Sequence, residues 1–301
     1  MPRLSVILPV RNGEETIARA VTSTRKALPR DAEIVIFDDG STDSTPSVVQ
    51  TLESGSVRVI TSPTSVGVAT ALNTLIERTD SEYIARMDAD DVTLRGRFGY
   101  QRRAISPEAA VNFTTVLEWR PDKRRVSPAA PLPISARAFP YHLLMTNPVS
   151  HPTLFATREA LVRVGGYRQV PAEDYDLWLR LAVAGIGIRR LALPALLYRM
   201  HPQQVTSSLE WRHGSWTDET VAAAFAELSA RLLGRRFSRL VSLGFNSDID
   251  QDEFEGTLAD FAARLESAIA VLPPWDRRIL MRRLAKRSEA VRAMRAVESG
   301  V

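Results

Sequence analysis

The first hundred residues alternate between short apolar runs and segments with helical periodicity, and this alternation constrains the fold more than any other feature. Strands separated by helices of this length form parallel sheets with right-handed crossovers. The sequence therefore predicts an α/β fold with a Rossmann-like, mostly parallel sheet flanked by helices. The predicted strands are Leu4–Val10, Ile34–Phe37, Val57–Ile60 and Tyr83–Met87, and the predicted helices are Glu14–Ala27, a segment from Pro46, and Gly67–Arg78.

Charged and amide residues are concentrated where these strands end. Open parallel sheets bind ligands beyond the carboxyl ends of their strands. We therefore expect a binding site at this edge. The residues concerned are Arg11 and Asn12 after the first strand, Asp38 and Asp39 after the second, and Asp88, Asp90 and Asp91 after the fourth.

Composition excludes several classes of site. The 301 residues contain no cysteine, so disulfides, thiolate zinc sites and cysteine nucleophiles are excluded. The net charge is +4, and because the last 30 residues alone carry +5, the rest of the chain has no excess of positive charge. This distribution argues against a nucleic-acid groove on the main body.

No apolar run is long enough for a membrane span or a signal peptide, so we expect a cytoplasmic protein.

The densest acidic motif is Asp88-Ala89-Asp90-Asp91, directly after a predicted buried strand. Carboxylates this close repel one another unless a cation or hydrogen-bond donors neutralise them. Oxygen ligands suit Mg²⁺ or Mn²⁺, which would in turn bridge to phosphate oxygens. The alternative is a solvated acidic turn without a ligand.

Two further acidic pairs have both a functional and a structural interpretation. Asp38 and Asp39 could accept hydrogen bonds from a nucleobase and a ribose, or the segment could cap the following helix through Ser41 or Thr45. Glu173-Asp174 precedes a helical segment, where a carboxylate could serve as a general base or could simply stabilise the helix start.

Taken in order, these segments and four others resemble family-two inverting glycosyltransferases with the GT-A fold. The resemblance covers about residues 4–207. The motifs are Ser5–Glu14, Phe37–Asp43, Ala85–Asp91, His151-Pro-Thr, Gly165–Arg168, Glu173–Arg180 and Tyr198-Arg-Met-His201.

The resemblance implies a role for most of these residues. Asp38 and Asp39 would hold the uridine end of a nucleotide-sugar. Asp88 and Asp90 would form the DxD motif that binds ribose, diphosphate and metal, and His201 would reach the metal or diphosphate. Asp174, with Glu173 as the second candidate, would deprotonate the acceptor. Further donor contacts are implied for Pro9, Arg11, Glu14, Asn73 and Ala89.

Two positions depart from the family pattern. Arg11 stands where many relatives have tyrosine, and Leu72 stands where many have arginine. Both departures concern contacts to the nucleotide, so they bear on which base is selected.

The resulting hypothesis is a metal-dependent inverting glycosyltransferase that uses Mn²⁺ or Mg²⁺. It would transfer a sugar from a nucleotide-sugar, with UDP expected, to a hydroxyl acceptor in polysaccharide or glycolipid synthesis. The alternatives are a nucleotidyltransferase on a similar sheet and a non-catalytic nucleotide-binding or scaffold protein.

The remaining chain predicts a helical C-terminal region. We expect a catalytic domain at 1–207 and a helical extension at 208–301, with helices Thr217–Leu233, Gln251–Leu272 and Asp276–Val297. The last helix has an apolar stripe (Leu280, Leu284, Val291 and Met294) beside a basic row (Arg278, Arg282 and Lys286). This pattern suits peripheral contact with an anionic membrane that presents a lipid-linked acceptor, or packing on the body or in a homodimer.

Three local predictions complete the set. The segment 121–140, with its five prolines, is expected to be an irregular loop, and Ala156–Gly165 a helix. Trp178 is expected to pack in the core. For His151, a structural and a functional role remain open.

Overall fold

The computed structural model describes residues 2–129, 132–201, 209–246 and 248–298. The chain divides into two compact units. The first unit comprises Met1–Pro133, Val149–Gln169 and Ile186–Gln204, and the second comprises Ile134–Pro148, Val170–Gly185 and Val205–Val301. Two segments that precede residue 207 thus cluster with the C-terminal helices. The division into domains at 1–207 and 208–301 stays a prediction.

The strands of the described residues all belong to the first unit and form one nine-stranded sheet. They are β1 Leu4–Val10, β2 Ala32–Asp39, β3 Val57–Ser62, β4 Tyr83–Arg86, β5 Val92–Thr93, β6 Val111–Arg120, β7 Arg125–Pro128, β8 Phe155–Thr157 and β9 Ile188–Arg199.

The strand order is β3-β2-β1-β4-β8-β6-β9-β5, with β7 paired to β6. Strands β1 to β4 are parallel to one another, as the alternation predicts. The α/β class is therefore confirmed, but the sheet is mixed, because β8 runs antiparallel to both β4 and β6. Strands β6 and β9 are again parallel.

The helices begin and end close to the predicted positions where the periodicity is strong. They are α1 Ile17–Ala27, α2 Thr45–Leu52, α3 Val68–Glu77, α4 Arg97–Arg103, α5 Phe139–Leu143, α6 Arg158–Arg163, α7 Glu173–Val183, α8 Leu209–Thr217, α9 Glu219–Leu233, α10 Leu240–Phe245, α11 Gln251–Ile269 and α12 Pro274–Glu298. In α2, Pro46 occupies the first turn, where its missing N–H costs nothing.

The second unit is built from helices with well-defined ends. Asp218 caps α9 by accepting a hydrogen bond from the Val221 amide, and Gly234 ends that helix in the left-handed conformation that glycine adopts readily. Asp250 caps α11 through the amide of Glu253. Trp178 is fully buried, which confirms its expected place in a core.

The apolar stripe of α12 faces the interior of the second unit. Leu280, Leu284 and Val291 are at most 4% exposed. These side chains are therefore covered by the protein's own core and are not available to lipid. No helix in the described part of the chain is both long and apolar enough to cross a bilayer.

Two local predictions were wrong in part. The proline-rich segment 121–140 contains β7, which pairs with β6 as a hairpin, and the start of α5. The predicted helix Ala156–Gly165 is shorter, because Ala156 and Thr157 belong to β8 and only Arg158–Arg163 is helical. Thr157 caps that helix through the Ala160 amide.

Candidate active site

The parallel strands bring the acidic motifs of the first unit to one edge of the sheet. Strand β1 lies between β2 and β4 and is parallel to both, so the carboxyl ends of these strands lie side by side. Asp39 is the last residue of β2, and Asp88 comes two residues after β4. The sheet thus gathers the acidic groups that the sequence predicted to lie together.

Asp88, Asp90 and Asp91 form a compact acidic cluster, with one carboxylate oxygen of each within 4.8 Å of the others. Asp91 is buried, and its Oδ1 accepts a hydrogen bond of 2.8 Å from the amide of Arg199. Its buried Oδ2 has no hydrogen-bond partner among the described residues. Burial, with smaller contributions from Asp88 and Asp90, raises the pKa of Asp91 well above its usual value.

An arginine and a histidine side chain lie against this cluster. Arg86 Nη1 lies 2.6 Å from Asp88 Oδ1, and His201 Nε2 lies 3.2 Å from Asp90 Oδ2. His201, which the family resemblance assigned to the metal or diphosphate, is therefore adjacent to the DxD motif. The donor set fits a divalent cation, since it offers several carboxylate oxygens and the buried Asp91 Oδ2 lacks a hydrogen-bond donor.

A fully buried arginine fixes the strand end beneath the cluster. The Arg97 guanidinium donates to the carbonyls of Arg86 at 2.8 Å and Pro152 at 2.5 Å, and to Gln101 Oε1 at 3.0 Å. Burial lowers the pKa of Arg97 to about 9. Its hydrogen bonds connect the end of β4 to the turn before β8, so it holds the backbone that carries Asp88.

The loops after β1 and β2 are held together by reciprocal hydrogen bonds. The Asn12 amide donates to Ser41 Oγ at 2.9 Å, and Asn12 Oδ1 accepts from the Thr42 amide at 2.8 Å. Glu14 Oε2 accepts from the Ser44 amide at 2.7 Å. Glu14, a predicted donor contact, thus fixes the position of the neighbouring loop.

Asp38 and Asp39 both accept hydrogen bonds from backbone amides. Asp38 Oδ1 accepts from Ser41 at 3.1 Å, and Asp39 accepts from Val66 at 2.6 Å and Gly67 at 3.1 Å. Asp39 therefore orders the loop between β3 and α3. Helix α2 has no side-chain cap in the structure, so the predicted capping by Ser41 or Thr45 was wrong; both hydroxyls instead accept from amides of the loop after β1.

The Asn73 side chain, on α3, binds the backbone of the turn that contains Gly165 and Gly166. Its side chain donates to the Tyr167 carbonyl and accepts from the Tyr167 amide, both at 2.8 Å. A Cβ atom on Gly166 would lie 2.4 Å from Asn73 Oδ1, and Gly166 has a φ of +66°. Only glycine suits this close approach, which explains the Gly165-Gly166 pair of the motif.

The other predicted donor contacts are less constrained. Pro9 pairs with Phe37 in the sheet register, Arg11 is exposed immediately after β1, and Ala89 is half-buried against the core of the first unit.

His151 is a buried residue of the first unit. Its Nε2 lies 2.8 Å from the Tyr167 hydroxyl. Burial, with a smaller contribution from Arg86, lowers the pKa of His151 well below its usual value, so the ring is neutral at pH 7. These contacts describe a structural position.

Asp174 lies in the second unit, in the first turn of α7. Its Oδ2 accepts a hydrogen bond of 2.7 Å from Asn147 Nδ2, and its Oδ1 lies 2.6 Å from the Tyr175 amide. Glu173 begins the same helix, where the helix dipole favours negative charge. Asp176 is fully buried in a 2.8 Å ion pair with Arg180, so the three carboxylates of this turn have different surroundings.

Asp174 lines a cavity of about 370 Å³ that lies within the second unit. Asn147, two tryptophans and three arginines share the lining. The Tyr175 hydroxyl donates to the Leu143 carbonyl at 2.5 Å, and burial raises the pKa of Tyr175 to about 12. These lining residues are Asn147, Trp211, Trp216, Arg212, Arg239 and Arg287.

Sequence reasoning missed three contributors to these sites. Asn147 was not singled out, and nothing in the sequence around it reveals that its side chain contacts Asp174. Arg86 was read as part of a strand, although an arginine inside a buried run directly before an acidic motif is itself a signal. Arg199 contributes its backbone amide, which carries no sequence signal.

The family comparison agrees with this geometry. The family model described as glycosyl transferase family 2 matches residues 5–162. The chain belongs to this family. It is therefore a glycosyltransferase, and the predicted family and enzyme class are confirmed.

One curated relative illustrates the similarity in sequence. The Escherichia coli protein WfaP, named as a UDP-Glc:α-D-GlcNAc-diphosphoundecaprenol β-1,3-glucosyltransferase, is 25% identical over 211 residues, which cover 69% of this glycosyltransferase and 81% of WfaP.

Two solved structures share the fold. Residues 1–349 of Staphylococcus aureus TarS, in complex with UDP-GlcNAc, align with a TM-score of 0.61 and 18% identity over 100% of this chain and 92% of that fragment. The Pyrobaculum calidifontis mannosyltransferase PcManGT, in complex with GDP-Man and Mn²⁺, aligns with a TM-score of 0.55 and 20% identity over 99% of this chain and 84% of its own. The GT-A fold is confirmed.

Proposed function

We propose that this glycosyltransferase transfers a sugar from a nucleotide-sugar, with UDP as the nucleotide, to a hydroxyl group of an acceptor used in polysaccharide or glycolipid synthesis. The observation that carries the proposal is the cluster of Asp88, Asp90 and Asp91 at the carboxyl edge of the parallel strands. Such an edge is where α/β sheets bind ligands.

In this proposal, the nucleotide-sugar donor binds to the loops of the first unit. Asp38 and Asp39 would hold the uridine, and Pro9, Arg11, Glu14, Asn73 and Ala89 would line or order the donor site. The hydrogen bonds of Glu14, Asp39 and Asn73 to neighbouring loops support an ordering role for these three.

Asp88 and Asp90 would hold a divalent cation, Mn²⁺ or Mg²⁺, with His201 beside Asp90. When bound, the cation would stabilise the charge that builds up on the departing diphosphate. The pairing of Arg86 with Asp88 contributes further positive charge at this edge.

Asp174 would act as the general base that takes the proton of the acceptor hydroxyl, with Glu173 as the second candidate. The acceptor oxygen would attack the anomeric carbon as the bond to the diphosphate breaks, and this single displacement inverts the anomeric centre. Asn147 supports the assignment, because its amide donates to Asp174 Oδ2 and fixes the carboxylate.

Peripheral membrane contact would use the exposed basic face of α12 rather than its apolar stripe. Arg278, Arg282 and Lys286 are exposed, and Trp275 next to them is 54% exposed. Each basic residue near an anionic surface contributes about 1 kcal/mol, so binding would weaken with salt. Salt-insensitive co-sedimentation with anionic vesicles, or none at all, would contradict this part. A homodimer stays a prediction.

The decisive experiment measures nucleotide release from a panel of UDP- and GDP-sugars with Mn²⁺ and with EDTA. We expect release from a UDP-sugar that EDTA abolishes, and NMR of the glycoside product should show an inverted anomeric configuration. Absence of release from every donor would favour a non-catalytic nucleotide-binding protein. Release that persists in EDTA would contradict the role of the cation.

A further inference from the structure

Two arginines in the cavity beside Asp174 have no carboxylate partner in the described part of the chain. Arg239 lies with its guanidinium carbon 5.0 Å from the centre of the Tyr175 ring and donates to the Ser215 carbonyl. Arg287, on α12, lines the same cavity and makes no salt bridge with any described residue. Buried or half-buried charges are normally paired, so this arrangement requires an explanation.

The two guanidinium groups also repel each other. Burial lowers the pKa of both arginines, and the charge of Arg239 lowers the pKa of Arg287 further. A neighbouring cavity of about 350 Å³ shares Arg287 and Asn147 and adds Arg283, and no carboxylate is among its described lining residues, whereas Asp174 lines the first cavity. Asp174 is the only carboxylate among the described residues that line the two cavities, and the charge of Asp218 only partly counters the effect of burial on the pKa of Arg239, so arginines outnumber carboxylates around Asp174.

Other arginines of the second unit form ion pairs with carboxylates. Arg235 and Arg264 both pair with Asp260, and Arg292 pairs with Glu255. Arg292 lies on the same helix as Arg287 and is more exposed. These three exposed arginines have carboxylate partners, whereas Arg239 and Arg287 form no ion pair among the described residues, which is the reverse of the order that desolvation alone would favour.

We propose that Arg239 and Arg287 bind a phosphate or diphosphate group of the acceptor, so that the acceptor is an anionic, phosphate-bearing molecule rather than a neutral sugar chain. Guanidinium groups bind phosphate oxygens through paired, charge-assisted hydrogen bonds. Trp211, Trp216 and Met294 line the same cavity and offer apolar surface to the sugar or lipid that carries the phosphate. The proposal rests on the function proposed above, because it takes Asp174 as the base for the acceptor.

The test measures binding without transfer, by isothermal titration calorimetry in EDTA. The probes are decyl diphosphate below its micelle concentration, glycerol-phosphoryl-glycerol as a water-soluble phosphodiester, and decyl maltoside as a neutral control. We expect saturable binding of a phosphate-bearing probe and none of the maltoside. Preference for the first probe indicates a lipid-linked acceptor, and preference for the second indicates a polymer of phosphodiesters.

Arg287→Gln should weaken binding of the preferred probe by about tenfold or more, since hydrogen bonds to charged groups contribute about 1.5–3 kcal/mol. Arg277→Gln, at an exposed position on the same helix, should bind as the wild type does. Arg287→Lys should restore part of the affinity. Because Arg287→Gln removes one of two repelling charges, its melting temperature should not fall, whereas a purely structural arginine would lower it.

Equal binding by Arg287→Gln and wild type would overturn the proposal, as would binding of decyl maltoside as tightly as of both phosphate probes. Displacement of the probe by UDP in EDTA would also overturn it, since the probe would then occupy the donor site. The donor assay fails or succeeds independently of these results. Nucleotide release without probe binding would reject only the acceptor class, and probe binding without nucleotide release would reject only the proposed donor.

Discussion

The acidic cluster of the first unit and Asp174 of the second are both candidate catalytic carboxylates, but the protein holds them in opposite ways. At the cluster, three carboxylates crowd together and Asp91 keeps an unpartnered buried oxygen. At the cavity, one carboxylate stands among arginines and is fixed by Asn147. The first arrangement has an excess of negative charge and suits a cation, whereas the second has an excess of positive charge and suits an anionic substrate.

The two arrangements suit different chemical functions. Crowded carboxylates destabilise the protein unless a cation binds them, so the cluster suits metal binding. A single carboxylate held by an amide can accept a proton, so Asp174 suits acid–base chemistry. Variants at the cluster should therefore lose metal-dependent donor binding, whereas variants at Asp174 should lose proton transfer.

The largest effect is expected at the cluster. Asp90→Asn should lower transfer by about 10⁴-fold, because a bound cation contributes several kcal/mol of transition-state stabilisation. Titration of UDP with and without Mn²⁺ should show that the metal-dependent part of donor binding is lost. Asp80→Asn, at an exposed position before β4, is the matched control and should behave as wild type. Unchanged manganese dependence in Asp90→Asn would mean that the cation is held elsewhere.

Asp174→Asn should lower transfer by about 10³-fold while donor affinity stays within a factor of about two, since an amide keeps the shape but cannot accept the proton. Single-turnover rates and UDP titration separate the two quantities. Glu173→Gln is the comparison variant. Should Glu173→Gln lose activity while Asp174→Asn keeps it, the base is Glu173 and the role of Asn147 needs another explanation.

The two sites also differ in how far the sequence could predict them. The cluster is local, because Asp88, Asp90 and Asp91 all lie within five residues of the end of β4, and a strand followed by carboxylates is visible in the sequence. The site of Asp174 is assembled from segments far apart in the chain, including Asn147 and Arg287. Short-range sequence patterns carry no information about contacts between distant segments. The sequence therefore predicted Asp174 as the candidate base but did not predict the residues around it.

The same reasoning explains the outcome for the fold. The βαβ alternation predicted β1 to β4 because each strand contains an apolar run, which is largely buried in β1, β2 and β4 and partly exposed in the edge strand β3. The antiparallel additions were missed or misread. β8 is only three residues long, and β7 is a proline-containing, largely exposed strand whose existence depends on pairing with β6.

A third carboxylate sharpens the contrast between catalytic and structural acids. Asp176→Asn removes the carboxylate from the buried ion pair with Arg180 and should lower the free energy of unfolding by about 3 kcal/mol, the size expected when one partner of such a pair is removed. Urea denaturation measures this, and Asp174→Asn serves as the comparison that should lose activity but little stability. The double variant Asp176→Asn/Arg180→Gln should recover part of the loss, and a loss equal to the sum of both single variants would argue against coupling of the pair.

The smallest expected effect is the pH dependence that His151 gives the first unit. Burial lowers the folded-state pKa of His151, so below the unfolded value of about 6.5 the unfolded chain binds more protons than the folded one. The stability contributed by the neutral ring is therefore complete above that pH and is lost as the pH falls, by at most about 1.4 kcal/mol per pH unit.

Urea denaturation at pH 7.5 and 5.5 should show that the free energy of unfolding falls by about 1 kcal/mol more in wild type than in His151→Gln over this interval. His213→Gln, at an exposed histidine, should lose as much as wild type. Equal losses in wild type and His151→Gln would mean that the ring is protonated in the folded state, and its contact with the Tyr167 hydroxyl would then have His151 as the donor.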